Sequence, residues 1–377
     1  MIYKDFKGEK ISLLGMGNMR LPITNREDNA TINKEYAQQI IDYVYAHGVN
    51  YFDTAYMYHN GQSELFVGEA LSKYPRDSYY LADKMPGMMM LDGKRTVDMI
   101  FEDQLRKCRT DYFDFYLLHN MNENDIDIYE SEQAGIIPYL VKQKEAGRIK
   151  HFGFSCHSKP ETLRGFLDRH DCFEFVQIQL NYLDYDIAEA KEMYEIIAEH
   201  GLKVWVMEPC RGGRLASLGE EVDSMFKATS PDRTVASWAF RWVQSLPEVQ
   251  VILSGMTEIE QAIDNIATFD HYEPFTDEEK ETLANALDTF KKKTFIPCTK
   301  CHYCSECPME LPIPEIIDIY NDYLLSGNKF FFKSKINRLD EDKRPNNCIG
   351  CGNCETQCPQ SIGVPEIMEK LTQLMDE

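Results

Sequence analysis

The segment ISLLGMGNMR, residues 11–20, decides between two α/β architectures. A short apolar run enters a glycine turn, as it does in an open dinucleotide-binding sheet, but that fold asks for G-x-G-x-x-G after its first strand. Gly15 and Gly17 are present, and the turn then continues Asn18-Met19-Arg20 without a third glycine. The phosphate-loop fingerprint is absent. Further runs rich in Val, Ile, Leu, Phe and Tyr recur at NYFD (50–53), YYLADK (79–84), FDFYLLH (113–119), HFGFS (151–155), FVQIQ (175–179), KVWVM (203–207) and VQVIL (249–253). Each is followed by a segment of helical periodicity, such as KEYAQQIIDYVYAHG or IAEAKEMYEIIAEHG, and several of these end in Gly. Eight strand–helix units within about 290 residues predict a closed parallel (β/α)8 barrel rather than a doubly wound sheet.

The barrel pattern stops near Phe290, which divides the chain into residues 1–290 and a smaller domain of residues 291–377, helical around EIIDIYNDYLLSG. Eight of the twelve cysteines lie in that second stretch. Cys348, Cys351, Cys354 and Cys358, followed by Pro359, spell C-x2-C-x2-C-x3-C-P. Cys298, Cys301, Cys304 and Cys307, followed by Pro308, repeat the motif with one residue fewer before the last Cys. The halves are an internal duplication, because Pro314-Glu315-Ile316 and Pro365-Glu366-Ile367 stand at the same offset from Cys307 and Cys358. Three thiolates at i, i+3 and i+6 hold three corners of one [4Fe–4S] cubane, and the fourth commonly ligates the other cluster. The expected sets are Cys298, Cys301, Cys304 and Cys358 on one cluster, and Cys348, Cys351, Cys354 and Cys307 on a second. Zinc prefers separated C-x2-C pairs and has no use for the three-in-a-row spacing. Cys108, Cys156, Cys172 and Cys210 read as small hydrophobes of the barrel.

Composition bounds the partners. With 43% apolar and 12% aromatic residues the chain has enough material for a packed core, and a net charge of −22 disfavours nucleic acid and anionic membranes. No apolar run is long enough to span a bilayer, and MIYKDFKGEKIS lacks the apolar core of a signal peptide, so the expectation is no membrane insertion and a cytoplasmic location. Clustered cysteines in that reducing compartment argue for metal rather than disulfides.

Chemistry in such barrels belongs at the C-terminal ends of strands. Asp53 closes NYFD, Lys84 closes YYLADK, His119 closes FDFYLLH, and Tyr58 follows Asp53 in the loop DTAYMYHNGQSE. Singly, these read as a cap or core hydrogen-bonder, a solvated strand end, a satisfied core histidine and loop packing; together they bring an acid, an amine, an imidazole and a phenol to one space. That set suits protonation of a carbonyl oxygen while hydride reaches its carbon. An adjacent ammonium lowers a phenol's pKa from near 10, a carboxylate orients the ammonium, and an imidazole hydrogen-bonds the substrate oxygen. Met85 and Met88–Met90, just beyond Lys84, either line an apolar substrate pocket or pack the loop.

With these pieces, and with GMGNMRLP, GFSCHS, VQIQLNY, VMEPCRGGRL and SGMTEIEQAIDN, residues 1–290 resemble the aldo-keto reductase family. The whole chain resembles a subgroup with a C-terminal ferredoxin-like domain. The resemblance implies that Asp53, Tyr58, Lys84 and His119 form a catalytic tetrad, and that NAD(P)(H) lies extended across the barrel mouth. It further implies that Ser155 and Gln177 hold the carboxamide, that Gly17, Asn18 and Met19 border the nicotinamide, and that the chain through Met207, Pro209, Arg211 and Gly212 follows the pyrophosphate. Gly255, Met256, Gln261 and Asn265 would complete the nucleotide contacts. Met207 stands where many members stack a tyrosine, and Gly255-Met256-Thr257 and Gln261 replace the usual basic residues for a 2′-phosphate, which leaves NAD and NADP both open. A small-molecule carbonyl or alcohol is the expected substrate. Two functions follow: nicotinamide-linked carbonyl reduction with the clusters structural or regulatory, or an electron-transfer enzyme that uses a ferredoxin or other redox protein. The second needs a flavin, a radical-tolerant substrate or an external partner, and no flavin motif is visible in the sequence.

Overall fold

The structure is a computed structural model. It describes the chain apart from residues 26, 92, 188, 297, 299–302, 359–361 and 377 and the side chains of residues 186, 187, 293, 303 and 325. Its first element was not expected: β1 (Tyr3–Phe6) and β2 (Glu9–Ser12) form an antiparallel hairpin. Lys7 and Gly8 turn it with φ of 54° and 91°, the two positive values that a primed two-residue turn requires. The segment ISLLGMG is therefore split between two strands. Ser12 ends β2, its N–H donating to Asn50 Oδ1 (2.8 Å) and its hydroxyl to Leu14 O (2.7 Å). The barrel then begins at Leu14.

Eight parallel strands close on themselves in the order β10-β3-β4-β5-β6-β7-β8-β9. These are β3 (Leu14–Gly17), β4 (Tyr51–Asp53), β5 (Tyr80–Met85), β6 (Phe113–Met121), β7 (Ile149–Cys156), β8 (Phe175–Gln179), β9 (Lys203–Met207) and β10 (Val249–Ser254). Each covers a run identified in the sequence. Side chains alternate between two cores, as period-2 strands demand. Tyr51, Ala82, Phe115, Leu117, Phe175, Trp205, Val251 and Leu253 fill the interior, while Phe52, Leu81, Tyr116, Phe152, Phe154 and Val176 face outward onto the helices. Gly15 is glycine because a Cβ there would lie 2.9 Å from the Leu253 and Val251 side chains. The hairpin covers the N-terminal end of the strands: Phe6 joins the interior core and packs its ring against Phe115, Phe175 and Trp205 at 5.0–6.4 Å.

The described chain divides into two compact units, Met1–Cys210 with Arg233–Phe275, and Arg211–Asp232 with Thr276–Glu377. The second is helical. Ile313–Ser326, Lys329–Asn337 and Val364–Asp376 bury Ile316, Ile317, Phe332, Ile336, Ile367 and Leu371 in one core. The duplicated Pro-Glu-Ile runs thus supply Ile316 and Ile367 to the same interior. Among the described residues no helix is long and apolar enough to cross a membrane.

Candidate functional site

At the C-terminal end of the barrel, neighbouring strands in parallel register bring Asp53 and Lys84 together. Lys84 is fully buried, and its Nζ donates to Asp53 Oδ1 (2.6 Å) and Thr54 O (2.8 Å) and reaches Tyr58 Oη at 3.5 Å. All three ammonium hydrogens therefore have an oxygen within reach. His119, two strands round from Asp53, meets the Tyr58 ring edge-on at 5.8 Å, and its buried Nδ1 has no partner among the described residues. The four residues singled out in the sequence share one space.

Burial dominates their electrostatics. It pulls the Lys84 ammonium down, but Asp53, Tyr58 and Asp83 together raise it above its ordinary value. Burial also raises the Asp53 carboxyl against the pull of Lys84. Lys84 and Asp53 stand as an ion pair, since the ammonium donates to Asp53 Oδ1 at 2.6 Å and to Thr54 O at 2.8 Å. For Tyr58 the expected balance is corrected: burial lifts the phenol above 10, and Lys84 only moderates the rise. Burial, then Lys84, then His157, holds His119 well below its usual value, so it is a neutral imidazole.

Sequence reasoning missed the parts that hold this space in shape. Tyr58 leads into His59, Asn60 and Gly61, with φ of 52°, 52° and 84°. His59 is buried; its Nε2 accepts from Leu21 N–H (3.1 Å), and its Nδ1 lies 2.7 Å from Asn29 O, which makes the δ nitrogen the protonated one. The ring thus ties the Tyr58 loop to the chain after β3. Behind Lys84, Gln104 donates to Lys84 O (2.9 Å) and to Glu64 Oε1 (3.0 Å), and Lys107 pairs with Glu64 at 2.9 Å. Asn-Gly after His59 signals the turn. Glu64 and Gln104, on separate helices, leave no local signal for their meeting.

The remaining candidates fall into groups. Ser155 Oγ accepts from Asn120 N–H (2.7 Å), and Asn18 Nδ2 donates to Asp53 O (2.8 Å). Gln177 is buried, with Nε2 3.6 Å from Met207 Sδ and Oε1 unpartnered among the described residues. Met19 is exposed beside Gly17, and Pro209 is buried after β9. Met256 packs into the core, Gln261 Oε1 caps the helix Ile259–Thr268 through Thr257 N–H and Glu258 N–H, and Asn265 donates to Ser254 Oγ (3.0 Å). Gly255 is exposed, with Arg20 against it. Arg211 and Gly212 belong to the second unit. Met85 and Met90 are core residues, whereas Met88 is exposed.

In the second unit, Cys307 of the first motif lines one small pocket together with Cys348, Cys351 and Cys354 of the second. Cys298, Cys304 and Cys358 border the same apolar core, and Cys301 lies outside the described residues. None of the described cysteines is in a disulfide. Among the described residues no three His, Cys, Asp or Glu side chains are gathered tightly enough to share one ion. A cubane asks for less, since each thiolate binds its own corner.

A closed barrel with a buried Lys–Asp pair beside a phenol and an imidazole defines an oxidoreductase class, and the comparisons name it. Residues 13–288 match the aldo/keto reductase family, and residues 297–362 match the 4Fe-4S dicluster domain. The chain belongs to the aldo/keto reductase family and carries a dicluster domain at its C-terminal end. Among relatives, a probable aldo-keto reductase of Glycine max is 26% identical over 69% of this chain and 81% of its own. The NADH-specific methylglyoxal reductase of Escherichia coli is 24% identical over 58% and 78%. The solved aldo-keto reductase AKR11C1 from Bacillus halodurans superposes with a TM-score of 0.61 at 26% identity, covering 76% of this chain and 96% of that one. A Klebsiella pneumoniae aldo-keto reductase in complex with NADPH shares the fold at a TM-score of 0.59 and 22% identity, covering 77% and 96%.

Proposed function

We propose that the barrel, residues 1–290, interconverts a small carbonyl compound and its alcohol with NAD(P)(H), and that residues 291–377 hold two [4Fe–4S] clusters. The observation that carries the first part is the fully buried Lys84 ammonium, held by Asp53 and Thr54 O and aimed at Tyr58 Oη. Gln177 Oε1 and His119 Nδ1, both buried without partners, fit a bound amide and a substrate oxygen, since unpaired buried polar atoms are costly. The reduced nicotinamide, when bound, supplies hydride. Tyr58, a protonated phenol at neutral pH, gives its proton to the carbonyl oxygen, and the Lys84 ammonium stabilises the phenolate left behind. His119, kept neutral, hydrogen-bonds the same oxygen and fixes its approach. Asp53 keeps Lys84 charged and in place. Ser155, Gln177, Asn18 and Met207 surround the nicotinamide end.

For the clusters, support comes from the shared cavity of Cys307, Cys348, Cys351 and Cys354. These thiolates would hold one cubane and put the protein in a reducing, cytosolic compartment. A second reading, electron exchange with a ferredoxin or another redox protein, is favoured by Cys351 and Ile349, both exposed at that pocket, since a cluster held there by Cys351 would be within reach of a docking partner. Nicotinamide moves two electrons and each cubane one, so this reading also requires a mediator.

The test is Tyr58→Phe, purified anaerobically beside the wild type. Carbonyl reduction should fall about 10²- to 10⁴-fold, while iron content and NADPH binding persist. Unchanged turnover would overturn the tetrad reading. Dithionite bleaching near 400 nm, followed by recovery on adding carbonyl, would decide for electron transfer; bleached protein that stays bleached assigns the clusters a structural role.

A further inference from the structure

The main chain of Lys84 leaves the ladder that carries it. β4 stops at Asp53, and the last rung to β5 is Thr54 N–H donating to Ala82 O (3.0 Å). Main-chain groups along a strand alternate between its two neighbours, so those of Lys84 face the same edge as those of Ala82. A continued parallel ladder would send Lys84 N–H to Thr54 O and bring Tyr56 N–H to Lys84 O. Neither bond is made among the described residues.

Side chains take both places. Asp83 Oδ1 accepts Lys84 N–H at 2.8 Å, and Gln104 Nε2 donates to Lys84 O at 2.9 Å. Asp83 is fully buried on the helix side of the barrel wall, with Oδ2 3.6 Å from Cys108 Sγ at the end of the helix Val97–Cys108. Gln104 is held in turn by Glu64 and by the Tyr116 hydroxyl. Inside the barrel, Thr54 O, which Lys84 N–H leaves free, accepts the Lys84 ammonium (2.8 Å). With Asp53 Oδ1 at 2.6 Å it fixes two of the three ammonium hydrogens, and the third is left for Tyr58 Oη at 3.5 Å.

We propose that Asp83 is a positioning residue for the Lys84 ammonium: by capping Lys84 N–H it keeps Thr54 O available to Nζ, and so holds the ammonium beside Tyr58. This rests on the carbonyl-reduction reading above and deepens it. Asp83 touches no reactant and acts through Lys84. Without Oδ1 the N–H takes the ladder's own acceptor, Thr54 O, and the ammonium stays buried with one oxygen fewer; a cation so placed gives up its proton more readily. The role needs an acceptor rather than a charge. Burial and then Glu64 hold the Asp83 carboxyl well above its ordinary value, so Asp83→Asn supplies an equivalent oxygen. The titratable groups facing the ammonium are Asp53 and Tyr58 in contact, Asp83 behind the strand and His119 across the Tyr58 ring.

The experiment uses the full chain with its clusters, as wild type, Asp83→Leu and Asp83→Asn; Asp83→Ala replaces Asp83→Leu if the latter does not fold. With 4-nitrobenzaldehyde and NADPH, Asp83→Leu should lower kcat about tenfold and move the alkaline limb of kcat about one unit to lower pH, with NADPH Kd unchanged. Asp83→Asn should keep both near the wild type. Loss of folded protein alone would lower kcat and leave the limb where it is. A limb that stays in place in Asp83→Leu, or moves as far in Asp83→Asn, overturns the proposal; the second result makes the carboxyl's charge the cause. A second readout needs no turnover: the 15Nζ signal of Lys84 in 15N-lysine protein, assigned by its loss in Lys84→Met, should titrate about one unit lower in Asp83→Leu and unmoved in Asp83→Asn. Equal midpoints in all three also overturn it. If the wild type reduces no carbonyl, the proposed function fails, and the Lys84 titration still decides for or against Asp83.

Discussion

Tyr58 lies between burial, which raises its phenol, and Lys84, which lowers it, and burial prevails. On the proposed mechanism, the proton for carbonyl reduction is therefore present throughout the neutral range. It is lost only as pH climbs through a value above 10, so kcat for reduction should stay level across neutral pH and decline on the alkaline side. Alcohol oxidation, which needs the phenolate, should accelerate over the same range. Asp53→Asn should narrow that plateau, because Lys84 then loses its chief anion while its burial remains. Leaving the ammonium unpaired should also cost about 3–5 kcal/mol, read by urea unfolding. At this scale the sequence was informative where a residue's place follows from a strand end: Asp53, Lys84 and His119 were legible from periodicity alone. It was silent on Glu64, Gln104 and His59, whose partners lie far along the chain or across a turn. It also could not weigh burial against charge, so the direction of the Tyr58 shift had to come from the fold.

The hairpin and the helix that follows the Tyr58 loop make separate predictions. His151, near the start of strand β7, lies between Glu174 (3.1 Å) and Glu9 of β2 (3.2 Å). Burial lowers its pKa, but the two carboxylates outweigh burial and raise it. Its contribution is thus complete below the unfolded value near 6.5 and is lost as pH rises through the higher folded value. Glu174, held far below the carboxylate range by His151, Lys7 and Lys144 against its burial, works the other way and is lost only in strong acid. The melting temperature should therefore decline as pH rises above about 6.5, and His151→Gln should flatten that decline. An unaltered slope would remove His151 as its source. In the helix Gln62–Leu71, a Cβ on Gly68 would sit 2.4 Å from Lys107 O. Gly68→Ala must push this helix off Val97–Cys108, at a cost of about 1–3 kcal/mol by thermal or urea unfolding. The eight barrel strands were readable because each pairs a short apolar run with a helix. The hairpin was not, since four-residue strands around Lys7-Gly8 carry too little pattern.

The charge of the whole chain is unevenly divided. Residues 291–377 hold 11 Lys and Arg against 13 Asp and Glu, so residues 1–290 carry −20 of the −22. The second unit has its own, smaller core and its own cysteines, and the first has a barrel that needs neither. Anaerobic removal of iron from the intact protein should therefore raise amide exchange in Ile313–Ser326 and Val364–Asp376, while the barrel strands stay protected. Equal loss of protection in both would mean that the units fold as one. The duplication and the cysteine spacing made the second unit legible, whereas the grouping of Arg211–Asp232 with it depends on packing that no local pattern announces. The hairpin has a last consequence, for traffic. With Phe6 and the packed strand interior closing the hairpin end of the barrel, whatever the barrel binds has its doorway at the opposite mouth.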